Sequence, residues 1–266
     1  MRLNQTTESL FSPDISSRLS ACLDAKMQDP QDRRSQNRAI VKAVIFDLDG
    51  TVVDSNDLHV EAWNQAFLHF GKHFPIAELR RHIGKGSDQY LPEFLSPDEL
   101  RKIGKEIDEY RSKLFREKFL PRVKPFPKVR ELFERIKRDG KRIALATSSH
   151  KDDVQTYTDL ARISDFVDCE ITADDTDKSK PAPDVFEAAI DRLDVPVNNA
   201  IAIGDTRFDV EAAKRIGLGT IGFLCGRAAD EQTLRQAGAI AVYEGPADLL
   251  EHYDTSPLAQ TASKDD

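Results

Sequence analysis

Four short apolar runs limit what this chain can fold into. They are Ala43-Val44-Ile45-Phe46, Arg142 to Ala146, Ala200 to Ile203 and Gly219 to Leu224. Runs of that length, bounded by polar residues, suit strands buried on both faces of a parallel sheet. Between them, Val129, Leu132, Phe133 and Ile136 share one helical face, as do Val185, Phe186, Ala189, Ile190 and Leu193. Strands alternating with helices predict an α/β fold, a doubly wound, Rossmann-like parallel sheet core.

The stretch 58–120 interrupts that rhythm and reads as successive helices with no buried strand. Ser96-Pro97-Asp98-Glu99 supplies an N-cap hydroxyl, a proline at the first helical position and a capping-box glutamate ahead of Leu100, Ile103, Ile107, Tyr110 and Leu114. An inserted α-helical cap domain is therefore expected over 58–120, left through the proline-rich linker Pro121 to Pro127. The core is expected over 41–57 and 121–254, with flexible tails over 1–40 and 255–266. A short amphipathic helix is possible from Ile15 to Met27.

Charge and cysteine usage exclude several classes. The 38 Lys+Arg against 46 Asp+Glu give a net charge of −8, which argues against a general nucleic-acid binder. No apolar stretch approaches the ~20 residues that span a bilayer. Cys22, Cys169 and Cys225 lie far apart without a C-x-x-C pair, so neither a disulfide framework nor a zinc site is expected. The first forty residues lack an apolar h-region and carry Glu8, Asp14, Asp24, Asp29 and Asp32. A cytoplasmic protein, monomer or weak dimer, fits these features.

The first strand ends in Asp47-Leu48-Asp49-Gly50-Thr51. In an extended chain, carboxylates two apart point the same way. At ~4 Å such a pair repels by about 4 kcal/mol at an effective dielectric of 20, a cost that a divalent cation reverses. Ala200 to Ile203 leads into a second acidic pair, Asp205 and Asp209, spaced for a strand end and the first turn of the next helix. Helix capping by Asp205 or Thr206 is the plainer reading of that pair. Thr147-Ser148-Ser149 ends another strand with hydroxyls and free N–H groups suited to a phosphate oxyanion, though ordinary turn residues look the same. Lys180-Pro181 offers a counter-charge held by a stiff backbone.

These segments, in this order, resemble the four motifs of the haloacid dehalogenase superfamily over roughly Lys42 to Tyr253. The insertion, with His59-x-x-Ala62-Trp63, is similar to the helical cap of the phosphoglycolate phosphatase and beta-phosphoglucomutase branch. The resemblance implies Mg²⁺ and a small phosphorylated metabolite as partner. Asp47 would attack phosphorus to form an aspartyl-phosphate, and Asp49 would protonate the leaving oxygen and later accept a proton from water. Asp47, the backbone carbonyl of Asp49 and Asp205 would hold the metal, with Asp209 behind them. Thr147 and Lys180 would bind the transferring group, joined by Ser148, His59 and Lys85 on the substrate. An acid two residues after the nucleophile favours phosphoryl transfer over dehalogenation.

A phosphatase is the expected activity. A sugar-phosphate mutase, an inorganic pyrophosphatase and a phospho-aspartate signalling module remain alternatives. The mutase grip on a second phosphate is not matched at Gly84-Lys85-Gly86-Ser87-Asp88 or Ser149-His150-Lys151. Lys85 itself reads better as a surface lysine. Trp63 reads as packing, and His59 as either packing or an aid to Asp49.

Overall fold

The computed structural model describes residues 40–149 and 151–259. The possible helix at 15–27 lies outside the described residues. In chain order the strands are β1 (Ala43–Phe46), β2 (Val53–Asp54), β3 (Lys124–Pro125), β4 (Arg142–Ala146), β5 (Cys169–Ile171), β6 (Ala200–Gly204), β7 (Gly219–Phe223) and β8 (Ala241–Tyr243). Six form one parallel sheet in the order β5-β4-β1-β6-β7-β8. The chain steps outward from β1 through β4 to β5, then returns to β6 on the other side of β1. Such a reversal opens a crevice at the carboxyl ends of the central strands, where open α/β sheets bind ligands.

Alternation along the central strands explains the two layers. Val44, Phe46, Ile143, Leu145, Ile201 and Ile203 pack on one side with Leu132, Phe133 and Ile136 of helix Val129–Arg138. On the other side Ala43, Ile45, Ala144, Ala146, Ala200 and Ala202 leave room for the helices Asp184–Leu193 and Arg207–Arg215 to come close. Each fully buried Leu, Ile or Phe contributes roughly 1.5–3 kcal/mol. Phe46 lies level with Leu145 and Ile203, so Asp47, Ala146 and Gly204 leave the sheet at one edge.

The helices Asn56–His69, Ile76–Arg81, Ser87–Tyr90 and Pro97–Leu114 surround a separate apolar cluster that includes Val60, Trp63, Phe67, Leu79, Tyr90 and Ile107. Trp63 stacks on Tyr90 at 4.5 Å, the packing role its sequence position suggested. The Ser96–Glu99 capping box forms as its spacing required. Past Leu114 the helix continues as a π-helical turn, Phe115–Phe119, whose two phenylalanines insert into the main core.

Three points go beyond the sequence reading. The linker 121–127 is tied to the core, because β3 pairs antiparallel with β2 and the flanking Val123 and Phe126 are buried, joining both roots of the helical segment. The loose end expected from residue 255 is packed at least to 259: Leu258 is fully buried and Pro257–Ala259 forms a 3-10 turn. The edge strands β5 and β8 were missed because Cys169-Glu170-Ile171 and Ala241-Val242-Tyr243 are too short to register as apolar runs. No helix among the described residues is long and apolar enough to cross a membrane.

Candidate active site

The carboxyl ends of β1 and β6 bring three buried aspartates together: ligand oxygens of Asp47, Asp205 and Asp209 lie within 4.8 Å of one another. Lys180, only 1% exposed, stands among them. Its Nζ meets Asp47 Oδ1 at 2.6 Å, Asp209 Oδ1 at 2.8 Å and the Ala146 carbonyl at 2.8 Å. Burial works against the lysine's charge, but Asp209 and Asp47 outweigh it and hold its pKa above the ordinary value. One lysine cannot neutralise three carboxylates. Burial pushes Asp47 up to about 7 against the pull of Lys180, with Asp209 and Asp49 adding to the rise. Burial, Asp209 and Asp47 likewise hold Asp205 well above the carboxylate range. The charge deficit and the all-oxygen donor set fit a hard divalent cation such as Mg²⁺. Among the described residues, these three could hold it.

Asp205 sits in a fitted cradle. Its Oδ1 accepts from Thr51 Oγ1 at 3.3 Å and its Oδ2 from Asn56 Nδ2 at 2.7 Å. Gly50, at φ +75°, leaves space that a Cβ would fill, coming within 2.3 Å of Asp205 Oδ2. Asp209 serves both readings of its motif. Its Oδ2 accepts from Thr206 N at 3.0 Å and Thr206 Oγ1 at 2.6 Å in a capping box, while Oδ1 faces Lys180.

Asp49 is turned away from this cluster. Its Oδ1 accepts from Ser55 Oγ at 2.5 Å and faces His59 Nε2 at 2.8 Å, and its Oδ2 accepts from Ser149 Oγ at 2.6 Å. Burial would raise its pKa, but His59 and the two hydroxyls pull it below the ordinary range. His59 stacks on Phe115 at 4.0 Å and presents Nδ1 to Arg111 Nη2 at 3.2 Å, so the histidine positions Asp49 as well as packing.

A cavity of about 60 Å³ adjoins both carboxylates. From the sheet edge it is lined by Asp47, Asp49, Thr147 and Ser148, and from the helical segment by Trp63, Lys85, Asp108 and Arg111. Thr147 is buried, and the Ser148 Oγ is buried without a hydrogen-bond partner. All the residues singled out from the sequence therefore meet here, Lys180, Asp205 and Asp209 by way of the carboxylate cluster. The surface reading of Lys85 does not hold: it lines the cavity, its side chain is only 8% exposed, its Nζ pairs with Glu93 at 2.6 Å, and it lies 4.8 Å above the Phe208 ring. Gly84 and Gly86 bring that loop against Thr206 and Ser179, where a Cβ would come within 2.6 Å of either side chain.

Sequence reasoning missed Ser55, Asn56, Arg111 and Gly226. Ser55 and Asn56 follow the first motif by a few residues and look like an ordinary helix start. Gly226 and Arg111 carry no local signal, because they matter only through contacts distant in sequence.

The model of the haloacid dehalogenase-like hydrolases matches residues 44–223. This chain belongs to that family. A phosphorylated carbohydrates phosphatase of Thermotoga maritima is 28% identical over 214 residues, covering 79% of this chain and 97% of the relative. Pyrophosphatase PpaX of Bacillus velezensis is 30% identical over 216 residues, covering 79% and 92%. The crystal structure of a hydrolase from Pseudomonas syringae superposes with a TM-score of 0.72 at 28% identity, covering 81% of this chain and 98% of that one. The haloacid dehalogenase resemblance is thus borne out, and the chain is a phosphohydrolase enzyme of this family.

Proposed function

We propose that the enzyme is a Mg²⁺-dependent phosphatase that hydrolyses a small phosphomonoester, carbohydrate-like in its alcohol, through an aspartyl-phosphate on Asp47. The observation that carries this reading is the division of labour between two carboxylates two residues apart. Asp47 lies against Lys180 and the carboxylate cluster, while Asp49 is held apart by Ser55, His59 and Ser149. A nucleophile and a proton carrier need that separation.

A carboxylate oxygen of Asp47 attacks phosphorus and the bond from phosphorus to the alcohol oxygen breaks; Asp49, ionised in the free enzyme, takes up a proton as the phosphate dianion enters beside it and passes that proton to the alcohol oxygen. Water then attacks the aspartyl-phosphate, Asp49 takes the water's proton, and phosphate leaves with Asp47 restored. Lys180 and the Thr147–Ser148 segment hold the transferring group, the unpartnered Ser148 hydroxyl being a ready donor. Mg²⁺ held by Asp47, Asp205 and the Asp49 carbonyl, with Asp209 supporting, would offset the charge of two anions brought together. The helices of 56–114 act as the cap, and the small cavity keeps bulk water from the intermediate.

Asp47→Asn should abolish release of phosphate from p-nitrophenyl phosphate; retained turnover would remove Asp47 as nucleophile. Asp49→Asn should slow hydrolysis of an alkyl phosphate by about 10²–10⁴. A second reading, hydrolysis of pyrophosphate, is favoured by Lys85 and Arg111 on the cap side of the cavity and by the Bacillus relative. Asp108 on the same side argues for a hydroxylated leaving group, since it repels a second phosphate and accepts from hydroxyls, as it does from Ser87 Oγ at 2.8 Å. The ratio of kcat/KM for sugar phosphates to that for pyrophosphate decides between them.

A further inference from the structure

The N-cap and the first residue of helix Asn56–His69 spend their side chains away from the helix. Ser55 is the N-cap, yet it makes no side-chain capping bond, because its hydroxyl goes to Asp49. Asn56, the first helical residue, is 1% exposed and reaches across the site. Its Nδ2 donates to Asp205 Oδ2 at 2.7 Å and to the Gly226 carbonyl at 2.9 Å. The Gly226 carbonyl can only accept, which fixes the orientation of the amide. Its Oδ1 is then buried with no donor, in a residue that lines the cavity.

The space around this bond is closed. A Cβ at Gly226 would come within 1.9 Å of Asp205 Oδ2, and one at Gly50 within 2.2 Å of Asn56 Nδ2. Asp205 therefore cannot turn toward either loop, and the Asn56 amide is the one close donor to its Oδ2 among the described residues.

We propose that Asn56 is a positioning residue for the metal centre. By holding one oxygen of Asp205 it aims the carboxylate at the cation, and its orphaned Oδ1 accepts a hydrogen bond from water brought in with that cation. Because Asn56 also begins the first helix of the segment 56–114, it anchors the root of that segment to a carboxylate of the metal cluster. The inference rests on the Mg²⁺ reading above.

The test is calorimetric titration of Mg²⁺, with Mn²⁺ as a second probe, into the full chain and into Asn56→Ala and Asn56→Leu. The leucine keeps volume without a donor, so a misfolded alanine variant does not end the experiment, and circular dichroism checks each fold. Partners behind metal ligands are worth about 10–100-fold in affinity. A loss of that size in a folded variant, with turnover at low Mg²⁺ recovered by raising Mg²⁺, supports the assignment. Wild-type affinity in either folded variant overturns it. Absence of divalent-cation binding by the unmodified chain overturns the metal reading itself, and the role of Asn56 with it.

Discussion

At the scale of the residue, the site is governed by unbalanced buried charge. Asp47 is raised to about 7, and Asp205 is also raised, chiefly by burial. A folded-state pKa above the unfolded value gives stability that is fully present below the ordinary carboxylate range and is lost as pH rises through the folded pKa. In a chelator, the melting temperature should therefore fall between about pH 4 and about pH 7 as Asp47 loses its proton. Saturating Mg²⁺ should remove that fall, because the cation replaces the protons. A chelated protein whose melting temperature stays flat across that range would contradict this charge account. The two carboxylates of the first motif were legible in the sequence as a pair at a strand end, but the expectation that an extended chain points them the same way fails, because Asp49 turns from the cluster that Asp47 joins. Their opposite environments were not, because Ser55, His59 and Ser149 reach Asp49 from separate elements.

At the scale of the element, local signals were read well where a single segment carries them. The four central strands, the helix faces and the Ser96–Glu99 capping box all follow from short-range pattern. Pairings between distant segments were not legible: β2 and β3 consist of two residues each, and β3 contains a proline. The C-terminal turn shows the same limit. The stretch 255–266 reads as a small, polar end, yet Leu258 within it joins the core cluster of Leu249 and Tyr253. Leu258→Ala should destabilise the protein by about 2–5 kcal/mol in urea unfolding, as buried leucines do. A change near zero would show that the turn does not pack in solution. Ser96→Ala should cost about 0.5–2 kcal/mol through loss of the cap. Because that helix carries Arg111, the same variant tests whether its stability reaches the site.

At the scale of the whole molecule, the sheet reversal at β1 and the insertion after it account for the function together. The reversal gathers Asp47, Thr147, Lys180 and Asp205 at one edge, and the inserted segment brings Lys85 from a loop and Asp108 and Arg111 from a helix over that edge. The motif order revealed the first gathering, since the motifs of Asp47, Thr147 and Asp205 each follow a strand visible in the sequence. It said little of the second, because nothing in a loop of the helical segment announces which side chain turns inward, and so Lys85 read as solvated surface. The central claim is that phosphorus passes through Asp47. It is tested most directly by rapid mixing of Asp49→Asn with p-nitrophenyl phosphate, whose leaving group needs no proton, followed by acid quench and mass spectrometry of the peptide bearing residue 47. The account predicts a burst of nitrophenolate matching the enzyme concentration, with the phosphoryl group on Asp47 because its hydrolysis lacks a base. Steady turnover with no burst, and no phosphoryl group on Asp47 at any quench time, would contradict it.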